Sequence, residues 1–313
     1  MRRQPHRSGS SVARPDEVDT AARLRGTVEE LAGRIGERNV WRAGTLAASR
    51  RLIESGFQTL GLEVDAQEFA AAGERVANLG GEVRGTVRPD ELLVVGAHYD
   101  TVEGSPGADD NASGVAVLLE LAARLAGTRH DRTVRFVAFA NEESPFHRTD
   151  EMGSLVYARR CHARREGVMG MLCLESVGYY CSGPGTQRYP PPFGVFYPHT
   201  GDFIGFGANL RSCRLLRRCI AVFRQHSSLP AKGAAVPGWI PNACRSDHWA
   251  FWHEGYRAVM VGDTAPFRYP HYHTPLDLPD RLDYESMARL TTGLEAVIVD
   301  LASRSAALRE EQR

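Results

Sequence analysis

Lysine is almost missing from this chain: Lys232 is the single one, and arginine supplies the rest of its 38 basic residues. We read that skew as the codon bias of a GC-rich genome, without functional content. Cysteine is sparse as well. Cys161, Cys173, Cys181, Cys213, Cys219 and Cys244 form no CxxC pair and no small-domain framework, which argues against a zinc ribbon and a disulfide scaffold and permits a reduced compartment. Net charge is zero, with 38 basic residues against 38 acidic, so no global field favours nucleic acid or an anionic membrane as partner. Small molecules or short peptides are the more natural partners, and oligomeric state stays open. No run of about 18 apolar residues exists to cross a membrane as a helix. The basic N-terminus is not followed by the apolar segment of an export signal, so the expected location is cytoplasmic.

What is present is enough to fold. With 313 residues, 42% of them hydrophobic, the chain can bury a sizeable core. Residues 1–15 read as a flexible basic tail, 16–303 as one domain, and 304–313 as a tail that frays from a terminal helix. From Pro15 to about Leu62 apolar residues recur at spacings of three and four, a helical pattern. Gly61 before "LEVDAQEF" suggests a helix stop and then a strand. Four apolar runs follow: "LLVVGA" (92–97), "TVRFVAFA" (133–140), "GMLCLES" (170–176) and "RAVMVG" (257–262). They are nearly continuous and not alternating, as strands covered on both faces should be. Helical patterns, notably Val115 to Leu125 and Ser154 to Arg165, lie between them. The expected fold is α/β: a mostly parallel central sheet flanked by helices on both faces, in a single domain. Residues 178–210, rich in Gly, Pro and aromatics, read as a loop or lid, and a second Gly/Pro stretch spans 230–243.

The segment "VVGAHYDTVEGSPGADDNASG" (94–114) crowds Asp100, Glu103, Asp109 and Asp110 around His98. Taken alone it reads as a solvated acidic loop. The framework changes that reading. His98 and Asp100 follow the first apolar run, Glu142 and Glu143 follow the second, Glu175 ends the third, and His271 and His273 follow the fourth. All lie at carboxyl ends of expected strands, the edge where open α/β sheets bind ligands. Two imidazoles with three or four carboxylates suit Zn²⁺, with Mn²⁺ or Co²⁺ possible, and are too rich in nitrogen for a dedicated Ca²⁺ site. Five ligands over-supply one ion, whereas two ions sharing a carboxylate would each keep an open position. The adjacent Glu142 and Glu143 fit a division between general base and ligand. "SDH" (246–248) is no serine-protease triad, because three consecutive residues cannot converge as one. His130, His147, His162, His199, His226 and His253 read as surface or core histidines.

"GAHYDTVEGSPGADDNASG", "FANEE", "LESVGYY", "RSDHWAFW" and "HYHTPLDLPD", in this order, resemble the M28 (aminopeptidase Y-type) family of co-catalytic zinc metallopeptidases from about residue 20 to 300. The resemblance implies two Zn²⁺ ions per chain. His98 and Glu175 would hold one, Glu143 and His273 the other, and Asp109 would bridge them. Glu142 would be the general base of an aminopeptidase that hydrolyses N-terminal residues through a metal-bridging water. Asp100 would accept the His98 N–H, and a cis peptide is implied at Asp109–Asp110. Many relatives carry aspartate where Glu175 stands. No tyrosine precedes Ser246–Asp247–His248 to stabilise an oxyanion, which leaves Arg245 as the candidate, while Asp247 is expected beside the site. One alternative is a glutaminyl-peptide cyclotransferase with one zinc on the same fold. The other is a non-catalytic binding protein, against which stand the intact Glu142 and all five ligand positions.

Overall fold

The computed structural model describes residues 15–189, 193–240 and 244–303. The tails expected at 1–15 and 304–313 fall outside these residues, apart from Pro15. The described residues form eight strands: β1 (Val64–Ala71), β2 (Glu74–Val83), β3 (Arg88–His98), β4 (Arg132–Phe139), β5 (Gly167–Leu174), β6 (Ile204–Asn209), β7 (Ala231–Val236) and β8 (Ala258–Gly262). They form one sheet in the order β1-β2-β4-β3-β5-β8-β6-β7. The central strands β4, β3, β5 and β8 are parallel. On the flanks β2 runs antiparallel to β4, and β6 antiparallel to β8.

Alternation inside the apolar runs feeds two cores. Leu93, Val95 and Ala97 of β3, with Val134, Phe136 and Ala138 of β4 and Leu172 and Leu174 of β5, pack into one. The helices of that layer are α1 (Pro15–Val28), α2 (Thr45–Thr59), α3 (Gly114–Leu125), α5 (Cys213–His226) and α7 (Tyr284–Ser303), whose buried apolar residues join the same cluster. Val94, Val137, Phe139, Met171, Cys173 and Ala258 face the other way, against α4 (Gly153–Ala163) and α6 (His248–His253). Each fully buried Val, Leu or Phe contributes about 1.5–3 kcal/mol, and this two-sided burial makes the central strands read as continuous apolar runs. Gly96 marks a close approach, since a Cβ there would lie 2.3 Å from the Phe139 ring.

The structure departs from the sequence reading on the sheet's flanks. Residues 204–209, inside the expected 178–210 lid, form β6, and 231–236, inside the second Gly/Pro stretch, form β7. Their sequences, IGFGAN and AKGAAV, are too rich in Gly and Ala to carry the β-branched and aromatic signal of a strand. In β2, Gly81 leaves space for Phe57 of α2, whose ring would come within 2.8 Å of a Cβ at that position.

The parallel strands end together at His98, Phe139, Leu174 and Gly262. The loops leaving this edge carry Asn141, Ser176, Thr264 and His273, all at positive φ without being glycine. Such left-handed residues cost energy that the surrounding structure must offset, and they concentrate where function demands a fixed geometry.

Candidate metal centre

Two histidines from opposite ends of the chain meet on one carboxylate. His98, 1% exposed at the end of β3, has Nε2 3.2 Å from Asp110 Oδ1 and 3.3 Å from Glu175 Oε2. His273 has Nε2 2.9 Å from Asp110 Oδ2 and 3.3 Å from Glu143 Oε1. The result is two sets of one nitrogen and two oxygens that share Asp110. For a tetrahedral ion with bonds of about 2.0–2.2 Å, donor atoms lie about 3.3–3.5 Å apart, close to these separations. Buried atoms His98 Nε2, Asp110 Oδ1 and Glu143 Oε1 have no hydrogen-bond partner, and His98, Asp110 and Glu143 can bring donor atoms within 4.8 Å of one another. A buried polar atom left without a partner costs about 1–3 kcal/mol, so the arrangement fits a cationic occupant.

The aspartate between the imidazoles is Asp110, and the expected Asp109 points elsewhere. Asp109 Oδ1 accepts the Gly178 N–H at 2.8 Å, and its other oxygen lies against Asp263. The non-proline cis peptide is Asp110–Asn111, one residue beyond the expected Asp109–Asp110. Neighbouring side chains on an irregular loop face different ways, and an Asp-Asp pair carries no sign of which one faces the site. Asn111 ties the loop to β5: its Nδ2 donates to Leu174 O at 2.8 Å and its Oδ1 accepts the Ser176 N–H at 3.1 Å. Gly107, at φ +60°, permits the turn, because a Cβ there would sit 2.3 Å from Asp110 O.

Other side chains hold the donors in place. Asp100 accepts the backbone N–H groups of Glu142 (3.0 Å) and Glu143 (3.1 Å). His98 Nδ1 lies 3.3 Å from the Asp100 carbonyl and 3.5 Å from its carboxylate, so both acceptors of Asp100 face that ring nitrogen. Ser246 Oγ donates to Glu175 Oε2 at 2.5 Å and Ser176 Oγ to Oε1 at 3.0 Å. Asp277 receives the N–H groups of Asp109 (2.8 Å) and Asp110 (3.2 Å). Beneath the loop Arg38, fully buried, donates to the carbonyls of Tyr99, Leu31, Gly36, Pro106 and Gly107. Nothing in its sequence context singles Arg38 out of so many arginines. Asp277 sits inside the "HYHTPLDLPD" motif, where its link to Asp109 and Asp110 could have been sought.

Without a counter-ion the acids compete for protons. Burial pushes the Glu143 carboxyl well above its ordinary range and Asp110 adds to the push; Glu175 is raised by the same causes. Asp110 is held below its ordinary value: burial opposes this, but the hydrogen bond from His273 and the nearby His98 imidazole prevail. For the imidazoles burial disfavours charge, yet Glu175, Asp100 and Asp110 drive His98 well above 6.5. Asp110 and Glu143 carry His273 up to about 10 against the same penalty. A cluster that draws protons so strongly will exchange them for metal.

Glu142, Glu143, Ser144, His147, Arg245, Tyr272 and His273 line an open depression over these donors. Glu142 Oε1 accepts from His147 Nδ1 at 2.9 Å, Tyr272 stacks on His273 with centroids 3.8 Å apart, and Arg245 stands exposed on the rim. Asp247 is fully buried nearby, its carboxyl held well above its ordinary value by burial. His271 packs edge-on against Tyr269, and Glu103 is exposed, a solvated loop residue. From the depression a cleft past Glu175, Met260, Gly262 and Phe267 leads to an apolar cavity of about 170 Å³. Tyr189, Tyr197, Phe203 and Phe206 contribute to its walls.

Comparison with known proteins agrees with this architecture. Residues 78–298 match Peptidase family M28. The uncharacterized protein YfbL of Escherichia coli K12 is 36% identical over 280 residues, covering 87% of this chain and 85% of that protein. A probable leucine aminopeptidase of Arthroderma otae is 27% identical over 231 residues. That match takes in 69% of this chain but only 55% of the relative, so the chain spans about half of that protein's length. The structure of BSAP, a zinc aminopeptidase from Bacillus subtilis, superposes with a TM-score of 0.70 at 17% identity, covering 92% of this chain and 97% of that one. With the family pattern and the YfbL match each spanning most of the sequence, this chain belongs to peptidase family M28 and is a zinc metallopeptidase.

Proposed function

We propose that the chain is an aminopeptidase that removes N-terminal residues from peptides, using two zinc ions that share Asp110. The observation that carries this reading is the pair of donor sets, His98 with Glu175 and His273 with Glu143, meeting on opposite oxygens of that carboxylate. Bound zinc would polarise the scissile carbonyl and acidify a water. Glu142, on the wall of the depression beside the donors, takes the proton from the attacking water on its carboxylate and hands it to the leaving amine. Asp100 fixes the backbone of Glu142 and Glu143 together, so base and ligand keep a constant relation. The apolar cavity beyond Met260 and Phe267 receives the side chain of the residue that is released.

The test is release of free amino acid from aminoacyl-p-nitroanilides by the zinc-loaded protein, run beside cyclisation of an N-terminal glutamine. Turnover of the first, abolished in Glu142→Gln, is expected. Cyclisation without p-nitroaniline release would establish the cyclotransferase instead, and full activity in Glu142→Gln would remove Glu142 from the mechanism.

A further inference from the structure

His147 lies outside both donor sets, on the turn that follows Glu143, and its sequence context suggests nothing beyond a surface histidine. Its Nδ1 is nevertheless 2.9 Å from Glu142 Oε1, and the two side chains are 24% and 9% exposed. An ionised carboxylate only accepts, so Nδ1 must carry the hydrogen, which fixes the tautomer. Glu142 shares the open depression with acids, Glu143 and Glu175, and with the basic side chains of Arg245 and His273. In an open depression a carboxylate keeps one orientation only where a donor holds it, and His147 Nδ1 is that donor.

The turn is braced on both sides of His147. Phe146 donates its N–H to Glu143 O at 2.8 Å and stacks on Trp41, with centroids 5.5 Å apart and planes 16° from parallel. Arg148 lies over Trp249 at 5.1 Å and donates to Cys244 O at 3.2 Å. The His147 ring itself meets Trp249 at 6.4 Å. With its neighbours anchored to opposite walls, the imidazole is directed at Glu142 before substrate arrives.

We propose that His147 is a positioning residue for the general base: its Nδ1–H holds Oε1 of Glu142 and so presents Oε2 to the attacking water. This rests on the reading of Glu142 given above. The test compares His147→Phe and His147→Asn in the full, zinc-loaded chain with a leucine p-nitroanilide, alongside zinc content and melting temperature. Losing one hydrogen bond to a charged group corresponds to about a ten- to hundredfold fall in kcat for His147→Phe, with KM within about twofold and zinc content unchanged. Asparagine places an N–H donor near the Nδ1 position, so His147→Asn recovers most of the rate. In a Glu142→Gln background His147→Phe causes no further loss. Independently of activity, ¹⁵N NMR of the imidazoles shows an Nδ1–H tautomer for His147 that is lost in Glu142→Ala. Wild-type kcat in His147→Phe, equal impairment of the Phe and Asn variants, or an Nε2–H tautomer would each overturn the proposal. If Glu142→Gln is fully active, the reading of Glu142 fails instead; if it is inactive while His147→Phe is unimpaired, only the present inference fails.

Discussion

Replacing Arg38 by methionine removes a guanidinium that no sequence motif singles out and on which the metal loop rests. Of its five acceptors, the carbonyls of Tyr99, Leu31 and Gly107 are bonded in fully buried surroundings. Leu31 O keeps the Gly36 N–H at 2.9 Å and Gly107 O keeps the Ala112 N–H at 3.1 Å. Tyr99 O has no such second backbone donor among these bonds. An unsatisfied buried carbonyl costs about 1–3 kcal/mol, and the partly satisfied ones add about 0.5–1 kcal/mol each. Arg38 also stabilises negative charge: burial lowers its pKa, Asp277, Asp100 and Asp110 oppose this, and the net value is about 10. Withdrawing a buried cation from such neighbours brings the total to about 3–5 kcal/mol. Urea denaturation of the zinc-free protein measures this directly, and zinc titration should show weaker binding, because the Tyr99–Gly107 segment carries the approach to Asp110. Arg38→Lys, with three donors on a point charge in place of a planar fork, should fall between wild type and Arg38→Met. A loss below about 1 kcal/mol for Arg38→Met, with unchanged zinc affinity, would refute the argument.

Other outcomes follow from the same geometry. Asp110→Asn should lower zinc affinity more than a hundredfold and Asp109→Asn only about tenfold, as read by metal analysis after dialysis; the reverse ranking would restore Asp109 as the bridge. Surrounding acids raise His98 well above 6.5 and His273 to about 10 in the metal-free protein, which favours their protonated forms. Zinc must displace the protons held there, so calorimetry in buffers of different ionisation enthalpy should show proton release on binding, and no release would contradict the proton-drawing cluster. A pKa raised on folding stabilises below the unfolded value and ceases to do so as pH rises through the folded one. The melting temperature of metal-free protein should therefore drop between pH 7 and about 10, while the zinc-loaded protein changes less. Leucine and phenylalanine p-nitroanilides should be cleaved at least tenfold faster than the glutamate one, because the cavity beside Met260 and Phe267 is apolar; a preference for glutamate would place the released side chain elsewhere.

The central strands were legible because burial on both faces writes itself as runs such as "LLVVGA" and "TVRFVAFA". That His98, Glu143, Glu175 and His273 would come together at one edge of the sheet was legible because each follows such a run or the loop after it. What escaped depends on three-dimensional direction, which spacing does not encode. Asp109 and Asp110 are equivalent in sequence, and only the fold of the loop from Gly107 to Gly114 turns one toward the imidazoles and the other toward Gly178. β6 and β7 escaped because glycine and alanine serve close packing there and dilute the strand signal. His147 and Arg38 act through single contacts to partners distant in space or hidden in the backbone, so no residue pattern could announce them.

The central claim is that Asp110 joins two metal sites. A crystal structure of the zinc-loaded protein with anomalous difference maps at the zinc edge tests it most directly. The account predicts two peaks about 3.5–4 Å apart, one beside His98 and Glu175, the other beside His273 and Glu143, with one Asp110 oxygen on each. A single peak, or two peaks bridged by Asp109, would contradict it.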